Sequence, residues 1–426
     1  MSPSSSEPGI REGGWARLGE VVGAAHLRPA TPADAVAGVL PRAVIEPGTA
    51  AELAAVLRHA QELGLRLAPR GGGTKMEWGN PPRGLDAILS TRRLEGVVDH
   101  PWADMTATVE AGCTVAGFQR SLAAHGQRLS LDPLWPDRAT IGGVLATNDS
   151  GALRVRFGAM RDLVVGITVA LADGTLARSG GRVVKNVAGY DLPKLMAGSL
   201  GTLAVITEAT FRLYPLPRRV RNLSFVLPTA EAVSQVILAV LDSTLVPTGL
   251  QIRAQEGGSL GVDIRFEGEE AALEARVEEL QGLVATKPAE APAEVWEARE
   301  ALWAGAEPAV VCRLAVVPTR LGMLCERVGR EAERGGLSWR MVAQAGGLAW
   351  LRLEGSTAAL LDVLRALRQG VEAEEGSLAV LHCPPEARAG AEAWGAPGDA
   401  LPLMHRVKEQ FDPAALLNPG RFVGGI

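Results

Sequence analysis

The chain has 426 residues, of which 47% are hydrophobic and 21% charged, and its formal net charge is −5. This length allows two or three domains with a large core. The scattered charges argue against a nucleic-acid partner. Four widely separated cysteines without a C-x-x-C pair argue against a disulfide framework, a zinc site or an iron–sulfur cluster. We therefore expect no metal site, and the cysteine usage is typical of a reducing cytoplasm.

The N-terminal stretch MSPSSSEPGIREGG has no apolar core, so it does not read as a signal peptide. Its composition predicts a disordered tail over residues 1–27. Since no apolar run approaches the length of a membrane span, we expect a cytoplasmic protein. Any association with the inner membrane would be peripheral and through partners.

The first predicted element is a helix over 49–64, with Thr49 as the N-cap, Glu52 completing a capping box, and Gly64 at the C′ position. A short strand over 65–68 then leads into RGGGTK at 70–75. This order predicts a β-α-β unit whose second strand ends in a glycine loop.

Later segments extend this first domain. A second helix is predicted over 115–125, and Asp173-Gly174 predicts a hairpin between strands at 164–172 and 175–178. Alternating apolar residues predict a strand over 202–213. Pro215 and Pro217 end this strand and indicate a domain boundary near 217.

From Leu223 the order strand, helix, two strands, helix occurs twice. This pattern predicts an α+β cap domain of ferredoxin-like β-α-β-β-α repeats over 218–400. The remaining residues, 401–426, contain a short helix and the turn-rich DPAALLNPGRF, which we interpret as a segment that docks on the first domain.

Three glycine-rich segments carry the functional signal: RGGGTK at 70–75, TIGGVLATNDSG at 140–151, and GSLGT at 198–202. None fits the spacing of a Rossmann fingerprint or a P-loop. Successive glycines let backbone N–H groups approach an anion closely. The three segments together predict one long anionic ligand held at several points. Taken singly, each is also typical of a tight loop, a packed helix start or a hairpin turn.

Polar residues near these segments are candidates for contacts, namely Lys185, Tyr190 and Asp191, although each is equally typical of an internal hydrogen bond. Catalytic residues are harder to find, because the six histidines form no H-x-H or H-E-x-x-H motif. His405 is a weak acid–base candidate. A carboxylate substrate favours a bidentate arginine, and the predicted cap strands carry Arg253, Arg265, Arg313 and Arg352.

From about residue 42 to 217 the sequence resembles the FAD-binding domain of the vanillyl-alcohol-oxidase, or PCMH, type. The resemblance rests on RGGGTK, TIGGVLATNDSG, RFGAMRDLVVGITVALADG and KNVAGYDLPKLMAGSLGTLAVITE. The last of these, with the C-terminal KEQFDPAALLNPGRF, is most similar to the FAD-binding E subunits of glycolate oxidases. The resemblance implies an α+β fold in which two α/β subdomains hold FAD beneath the cap.

Carried over residue by residue, the resemblance implies four groups of cofactor contacts. They are Arg70, Gly71, Gly72, Gly73 and Thr74 for the pyrophosphate; Thr140, Ile141, Gly142, Gly143, Ala146, Thr147 and Gly151 for the flavin and ribityl chain; Gly201, Val205 and Ile206 for the rest of the cleft; and Asn418, Pro419 and Gly420 for the closing C-terminal loop. Gly73 and Thr74 stand where members with covalent flavin often have a histidine, so we predict non-covalent FAD.

The implied activity is oxidation of a small 2-hydroxy acid, glycolate to glyoxylate, with a larger FAD-binding subunit and an iron–sulfur subunit as partners. The histidine-rich cap motif of catalytic D-hydroxy-acid dehydrogenase subunits is missing from the sequence. Two alternatives stay open: a stand-alone FAD-dependent 2-hydroxy-acid dehydrogenase, such as one for D-lactate, and a non-catalytic assembly subunit with a structural flavin. The residues leave the catalytic base unknown, with His405, Arg313 and Arg352 as weak candidates.

Overall fold

A computed structural model describes residues 12–181, 190–284 and 286–426. Lys185 of the KNVAGY motif lies outside these described residues. The α-helices of the described residues are α1 (Glu12–Val22), α2 (Ala50–Leu63), α3 (Val115–Ala123), α4 (Ile141–Thr147), α5 (Arg154–Phe157), α6 (Met160–Leu163), α7 (Leu192–Met196), α8 (Ala230–Asp242), α9 (Glu270–Leu283), α10 (Leu321–Gly335), α11 (Thr357–Glu372) and α12 (Leu401–Phe411).

The strands follow the same chain order. They are β1 (Leu27–Pro29), β2 (Ala43–Ile45), β3 (Leu67–Arg70), β4 (Ala87–Ser90), β5 (Val97–Asp99), β6 (Thr106–Glu110), β7 (Gln127–Arg128), β8 (Val164–Ala170), β9 (Leu176–Gly180), β10 (Val205–Arg212), β11 (Tyr214–Pro215), β12 (Arg219–Leu227), β13 (Gly249–Gln255), β14 (Leu260–Gly268), β15 (Ala289–Glu290), β16 (Ala309–Ala315), β17 (Ser338–Gln344), β18 (Leu348–Glu354) and β19 (Ser377–His382).

The first half of the chain forms two small subdomains. One has a four-stranded sheet in the order β1-β2-β4-β3, in which β4 pairs in parallel with both β2 and β3. The other has an antiparallel sheet in the order β5-β6-β10-β8-β9. Because the parallel strands β3 and β4 end side by side, the loops that follow them emerge at the same edge of the first sheet.

Helix α2 confirms Thr49 as the N-cap and Gly64 as the C-terminal residue in the left-handed conformation, but Glu52 bonds the residue before the N-cap and does not close the predicted capping box. The Thr49 hydroxyl accepts a hydrogen bond from the Glu52 backbone N–H, and the Glu52 carboxylate accepts one from Gly48. Gly64 adopts the left-handed conformation that ends the helix. The apolar face of α2 packs into the core of the first subdomain.

The expectation of a disordered tail over residues 1–27 is wrong for its second part. Residues 12–22 form helix α1, and its Leu18 is completely buried in the core of the first subdomain. Trp15, Leu18 and Val22 recur at helical spacing, so they form an apolar stripe that α2 covers. The Ser- and Pro-rich composition of the first residues hid this stripe.

The strand predicted over 202–213 is shorter in the structure, since β10 begins at Val205. Leu200 and Gly201 form a turn with positive φ angles of 53° and 68°. This turn extends into the predicted strand, because the N–H and the hydroxyl of Thr202 both donate to the Ser199 carbonyl. The residues just before β10 therefore form a turn, and this turn contributes to the candidate site.

The cap contains an eight-stranded antiparallel sheet in the order β15-β12-β14-β13-β17-β18-β16-β19. Apolar residues on one face of this sheet pack with α8, α9, α10 and α11 in the largest core cluster. The order β12-α8-β13-β14-α9, followed by β16-α10-β17-β18-α11, confirms the two predicted β-α-β-β-α repeats. The other face of the sheet is richer in polar residues and turns toward the first domain.

The C-terminal segment is held against the first domain by a buried ion pair. The Lys408 ammonium lies 2.6 Å from the Asp412 carboxylate and donates hydrogen bonds to the carbonyls of Thr202 and Leu417. Leu67 on β3 also exchanges backbone hydrogen bonds with Leu416 and Asn418. Among the described residues, no helix combines the length and apolar character needed to cross a membrane.

Candidate functional site

All three glycine-rich segments meet at one groove between the two subdomains. The first segment arrives from the end of β3, the second forms α4, and the third is the turn before β10. Of the residues predicted from the sequence, those that line the groove are Arg70, Gly71, Gly142, Gly143, Ala146, Gly201, Val205 and Ile206. Segments separated by more than 100 positions in the sequence therefore build a single site.

Glycines in this groove and next to it are required by close packing. A Cβ atom on Gly71 would lie 1.9 Å from the Thr140 hydroxyl oxygen, and one on Gly72 would lie 1.8 Å from the Arg138 carbonyl oxygen. A Cβ on Gly142 would lie 2.7 Å from the Ala111 methyl group. The first and second segments thus touch through backbone, and any larger residue would force them apart.

Several predicted contact residues have internal roles instead. Thr140 caps α4 by accepting a hydrogen bond from the Gly143 N–H, and the Thr147 hydroxyl donates to the Gly143 carbonyl. Ile141 is completely buried in the core. Gly73 and Thr74 line a separate cavity of about 630 Å³ on the other side of the loop. These residues shape the glycine segments without facing the groove.

Arg70 is already engaged by a carboxylate. Its guanidinium lies 2.7 Å from Asp34, which also forms a salt bridge of 2.9 Å with Arg28. The hydrogen bond from Arg28 is the largest of the effects that hold the pKa of Asp34 well below its usual range. The Asp34 carboxylate is thus ionised at neutral pH and fixes the start of the RGGGTK loop.

The C-terminal loop reaches the rim of the groove. The Asn418 amide nitrogen donates to the Leu200 carbonyl at 2.6 Å, and Leu200 lines the groove. The Asn418 amide oxygen is buried without a hydrogen-bond partner among the described residues. Pro419 accepts a backbone hydrogen bond from Arg83, and Gly420 packs against the Arg83 side chain. Asn418 is therefore closer to the groove than its two neighbours.

Four groove residues were not predicted from the sequence: Pro69, Thr91, Leu200 and Ala204. Thr91 follows the end of β4, which pairs in parallel with β3. Ligands of parallel sheets often bind beyond the carboxyl ends of the strands. A prediction of β4 as a parallel neighbour of β3 would therefore have identified Thr91 as a groove residue.

Buried charges join the first domain to the cap. The Arg299 guanidinium donates to the Asp149 carboxylate at 2.8 Å, and to the carbonyls of Ser150 and Asp132. The Lys75 ammonium lies 3.4 Å from the same carboxylate. All three charged side chains are almost completely buried. Arg299 therefore connects the cap to both loops that flank α4.

The pKa values in this cluster follow from burial and pairing. Burial by itself raises the pKa of Asp149, but the charges of Arg299 and Lys75 outweigh it and leave that pKa below its ordinary value. Burial lowers the pKa of the Lys75 ammonium. In Asp132, which accepts backbone hydrogen bonds from Gly151 and Leu153, burial raises the pKa of the carboxyl group.

The three candidates for catalysis differ in their surroundings. His405 is exposed on α12 and is not among the residues that line the groove, so its catalytic role stays a prediction. Arg352 is completely buried, but it donates to Glu354 and to the carbonyls of Leu302 and Ala306. Its donors are used within the cap, because its strand turns this side chain inward. Arg313 is half-buried.

The fold and the groove define a two-domain protein built to hold an extended cofactor. A family model described as "FAD binding domain" matches residues 41–180, and one described as "FAD linked oxidases, C-terminal domain" matches residues 394–422. The solved structures of p-cresol methylhydroxylase and alkyldihydroxyacetonephosphate synthase superpose with TM-scores of 0.77 and 0.75. The match to p-cresol methylhydroxylase covers 98% of this chain and 98% of that chain at 14% sequence identity. The match to alkyldihydroxyacetonephosphate synthase covers 98% of this chain and 86% of that chain at 17% sequence identity. Both matches show the fold.

Curated relatives include glycolate oxidase subunit GlcD of Bacillus subtilis, 32% identical over 51% of this chain and 46% of its own length. The D-lactate dehydrogenase of Archaeoglobus fulgidus is 34% identical over 54% of this chain and 52% of its own. The matched region thus spans about half the length of these two relatives. The mitochondrial D-lactate dehydrogenase (cytochrome) of Arabidopsis thaliana is 29% identical over 90% of this chain and 74% of its own. Residues 41–180 of this chain are thus similar to an FAD-binding domain, and residues 394–422 are similar to the C-terminal domain of FAD-linked oxidases.

The described residues fit this cofactor. The groove has backbone walls at Gly71 and Gly142, where a Cβ would collide with Thr140 or Ala111, so a ligand in the groove can approach the backbone closely there. The unpartnered amide oxygen of Asn418, next to Leu200, gives the rim of the groove an acceptor for a cofactor N–H group. The two matching family models confirm FAD as the cofactor.

Proposed function

We propose that this chain is an FAD-binding subunit of a glycolate-oxidase-type enzyme that oxidises a small 2-hydroxy acid, with glycolate as the first candidate. The convergence of all three glycine segments on one groove carries this proposal. The similarity to a glycolate oxidase subunit over half of the chain supports the substrate class. FAD accepts a hydride from such a substrate, and the chain supplies position and electrostatics.

The groove would hold FAD along the glycine segments, with Arg70 and Gly71 of the first segment at the pyrophosphate and Gly142 and Gly143 beside the flavin and ribityl chain. Since Gly73 and Thr74 offer no histidine for attachment, the FAD would be non-covalent. The remaining predicted contacts from Thr140 to Gly151 would support the flavin side. The first domain would extend over 28–217, the cap over 218–400, and the docking segment over 401–426.

The cap would exclude water from the reacting flavin. Arg299 crosses from the cap to the loops that carry Asp132 and Asp149, so the cap is fixed to the first domain by buried charged hydrogen bonds. We propose further that electrons leave through a larger FAD-binding subunit and an iron–sulfur subunit. One relative's description as a subunit supports a multi-subunit enzyme.

A second candidate is a stand-alone 2-hydroxy-acid dehydrogenase, which the matches to D-lactate dehydrogenases favour. The two candidates differ in what the purified chain does alone. A stand-alone enzyme would transfer electrons from D-lactate or glycolate to a dye without partners, whereas a subunit would not.

The test is an absorption spectrum of the purified chain, recorded without oxygen before and after addition of glycolate or D-lactate. Bleaching of bound flavin and continued dye reduction by the chain alone would favour the stand-alone enzyme. Bound flavin that is bleached only after partner subunits are added would support the subunit proposal. If Gly72→Asp removes FAD and the assembled complex keeps full activity, the flavin of this chain is not needed and the proposal fails.

A further inference from the structure

A buried ion pair lies behind the rim of the glycine groove. Lys408 on α12 faces Asp412, just after the end of the same helix, with 2.6 Å between the ammonium and the carboxylate. The two side chains are only 9% and 0% exposed. Neither residue is among those that line the groove. Because taking two charges out of water is costly, the hydrogen-bond partners of the pair indicate what it holds in place.

Lys408 connects two segments that meet at the groove. Its ammonium donates to the Thr202 carbonyl at 2.6 Å and to the Leu417 carbonyl at 3.0 Å. Thr202 belongs to the turn before β10, and Leu417 directly precedes Asn418. An ammonium has three N–H donors, and these two carbonyls together with the Asp412 carboxylate use all three. Lys408 therefore ties the turn to the C-terminal loop.

The same two segments form the hydrogen bond at the rim of the groove. The Asn418 amide nitrogen donates to the Leu200 carbonyl at 2.6 Å, whereas the amide oxygen is buried without a partner among the described residues. Leu200 lines the groove. Lys408 bonds a residue two positions from Leu200 and a residue one position from Asn418, so it fixes both ends of this hydrogen bond.

The C-terminal segment has other contacts that keep it docked. The Asp412 carboxylate accepts backbone hydrogen bonds from Leu416 and Leu417, and Leu67 on β3 exchanges backbone hydrogen bonds with Leu416 and Asn418. Among the described residues, Lys408 is the one side chain of α12 that bonds to the turn before β10. Loss of the ammonium would thus leave the segment docked and release the turn from it.

We propose that Lys408 is a positioning residue for the cofactor, holding the turn and the C-terminal loop together so that the Asn418 amide oxygen faces the groove. The inference goes beyond the proposed function, because it requires only that the groove binds FAD, whichever acid is oxidised. A ligand that meets a preformed rim loses less free energy to ordering it. FAD affinity therefore depends on a side chain that does not line the groove.

The experiment is a fluorescence titration of the full-length apoprotein with FAD, using Lys408→Met, Asn418→Leu and the double variant. We expect Lys408→Met to weaken FAD binding by at least roughly tenfold. Since both changes act on the same hydrogen bond, the double variant should bind FAD within about threefold of Lys408→Met alone. A merely structural role for Lys408 would instead make the two effects multiply.

Val328→Ala is the control for a general loss of stability. Val328 is completely buried on α10 in the core of the cap, so its truncation destabilises the protein without touching the groove. Urea denaturation of the apoproteins measures that loss for Val328→Ala and for Lys408→Met. FAD affinity of Val328→Ala should equal that of the wild type.

Three results would overturn the inference: wild-type FAD affinity in Lys408→Met, effects that multiply in the double variant, or equal weakening of FAD binding by Val328→Ala. If Lys408→Met fails to fold, as judged by circular dichroism, Lys408→Arg decides. It keeps the charge opposite Asp412, but a planar guanidinium does not reproduce the donor positions of an ammonium, so FAD affinity should still fall by at least about threefold. An unchanged affinity in that variant would also refute the inference.

The proposed function is tested separately. A chain that shows the expected FAD affinities but whose flavin no 2-hydroxy acid reduces would refute the proposed function alone. Flavin reduction by glycolate, together with wild-type FAD affinity in Lys408→Met, would refute this inference alone.

Discussion

The glycine groove and the cap cleft are built from different parts of the chain. The groove is walled by backbone, at positions such as Gly71 and Gly142 where a Cβ has no room. The cap cleft, between the loop over residues 131–138 and the cap sheet, is walled by side chains on neighbouring strands, and the Gln344 amide oxygen there has no hydrogen-bond partner among the described residues. The buried pair of Arg299 and Asp149 connects the two regions.

The largest expected effect comes from breaking the connection between the two regions. Asp149→Asn leaves Arg299 and Lys75 buried without their counter-charge, which costs about 3–5 kcal/mol in the free energy of unfolding. Urea denaturation at pH 7 measures this cost. The exposed pair of Arg365 and Asp362 is the control, since Asp362→Asn should cost less than about 1 kcal/mol. Equal effects would mean that the cap is held by apolar contacts alone.

The groove is tested by Gly72→Asp. The new side chain would collide with the Arg138 carbonyl, 1.8 Å from the position of its Cβ, and would repel a pyrophosphate. We expect FAD affinity to fall by at least roughly 100-fold, or about 3 kcal/mol. The ratio of flavin to protein absorbance measures this loss. Gly282→Ala, where a Cβ meets nothing within 4 Å, should leave flavin content unchanged, and a full flavin content in Gly72→Asp would contradict a backbone-walled groove.

Acid should weaken the first domain through Asp34. Because the pKa of Asp34 is lowered in the folded state, its contribution to stability is complete above the unfolded pKa of about 4 and is lost as pH falls below it. We expect Asp34→Asn to be destabilised at pH 7 by roughly 1–3 kcal/mol and to lose less stability than wild type between pH 5 and pH 3. Denaturation curves at these pH values provide the check. Parallel pH profiles for the two proteins would show that Asp34 is not responsible.

A smaller effect is expected at the rim of the groove. Asn418→Leu removes the donor to Leu200 and the free amide oxygen, so FAD affinity should fall by roughly tenfold, or about 1.4 kcal/mol. Fluorescence titration of the apoprotein with FAD measures the change. An FAD affinity equal to that of the wild type would contradict a contact between Asn418 and the cofactor.

The smallest effect is expected at His405. Its side chain is exposed on α12, so His405→Ala should change the free energy of unfolding by less than about 0.5 kcal/mol. FAD affinity should also stay at its wild-type value, as a titration under the same conditions would show. Any loss of flavin reduction in this variant would support His405 as an acid–base candidate.

Local sequence patterns were sufficient wherever a feature depends on neighbouring residues. Thr49 and Gly64 predicted the ends of α2, and the repeated strand and helix order predicted the cap. The glycine segments predicted most of the groove residues, because close backbone packing requires glycine and glycine clusters can be read directly from the sequence. The prediction of disorder was wrong for residues 12–22, which form α1. The apolar stripe of this helix is stabilised by packing on α2, which the local sequence does not reveal.

Tertiary structure decided which arginines are free. Arg253, Arg265, Arg313 and Arg352 all lie on cap strands as predicted, and nothing in their local sequence separates them. Arg352 is saturated by carbonyls that lie up to 50 positions away, and Arg265 is fixed by Asn222 and Trp296, 43 positions or fewer from it. Hydrogen bonds between distant segments form only when the sheet is assembled. The sequence by itself therefore determined the fold and the cofactor groove, whereas the folded chain determined which side chains remain available to a substrate.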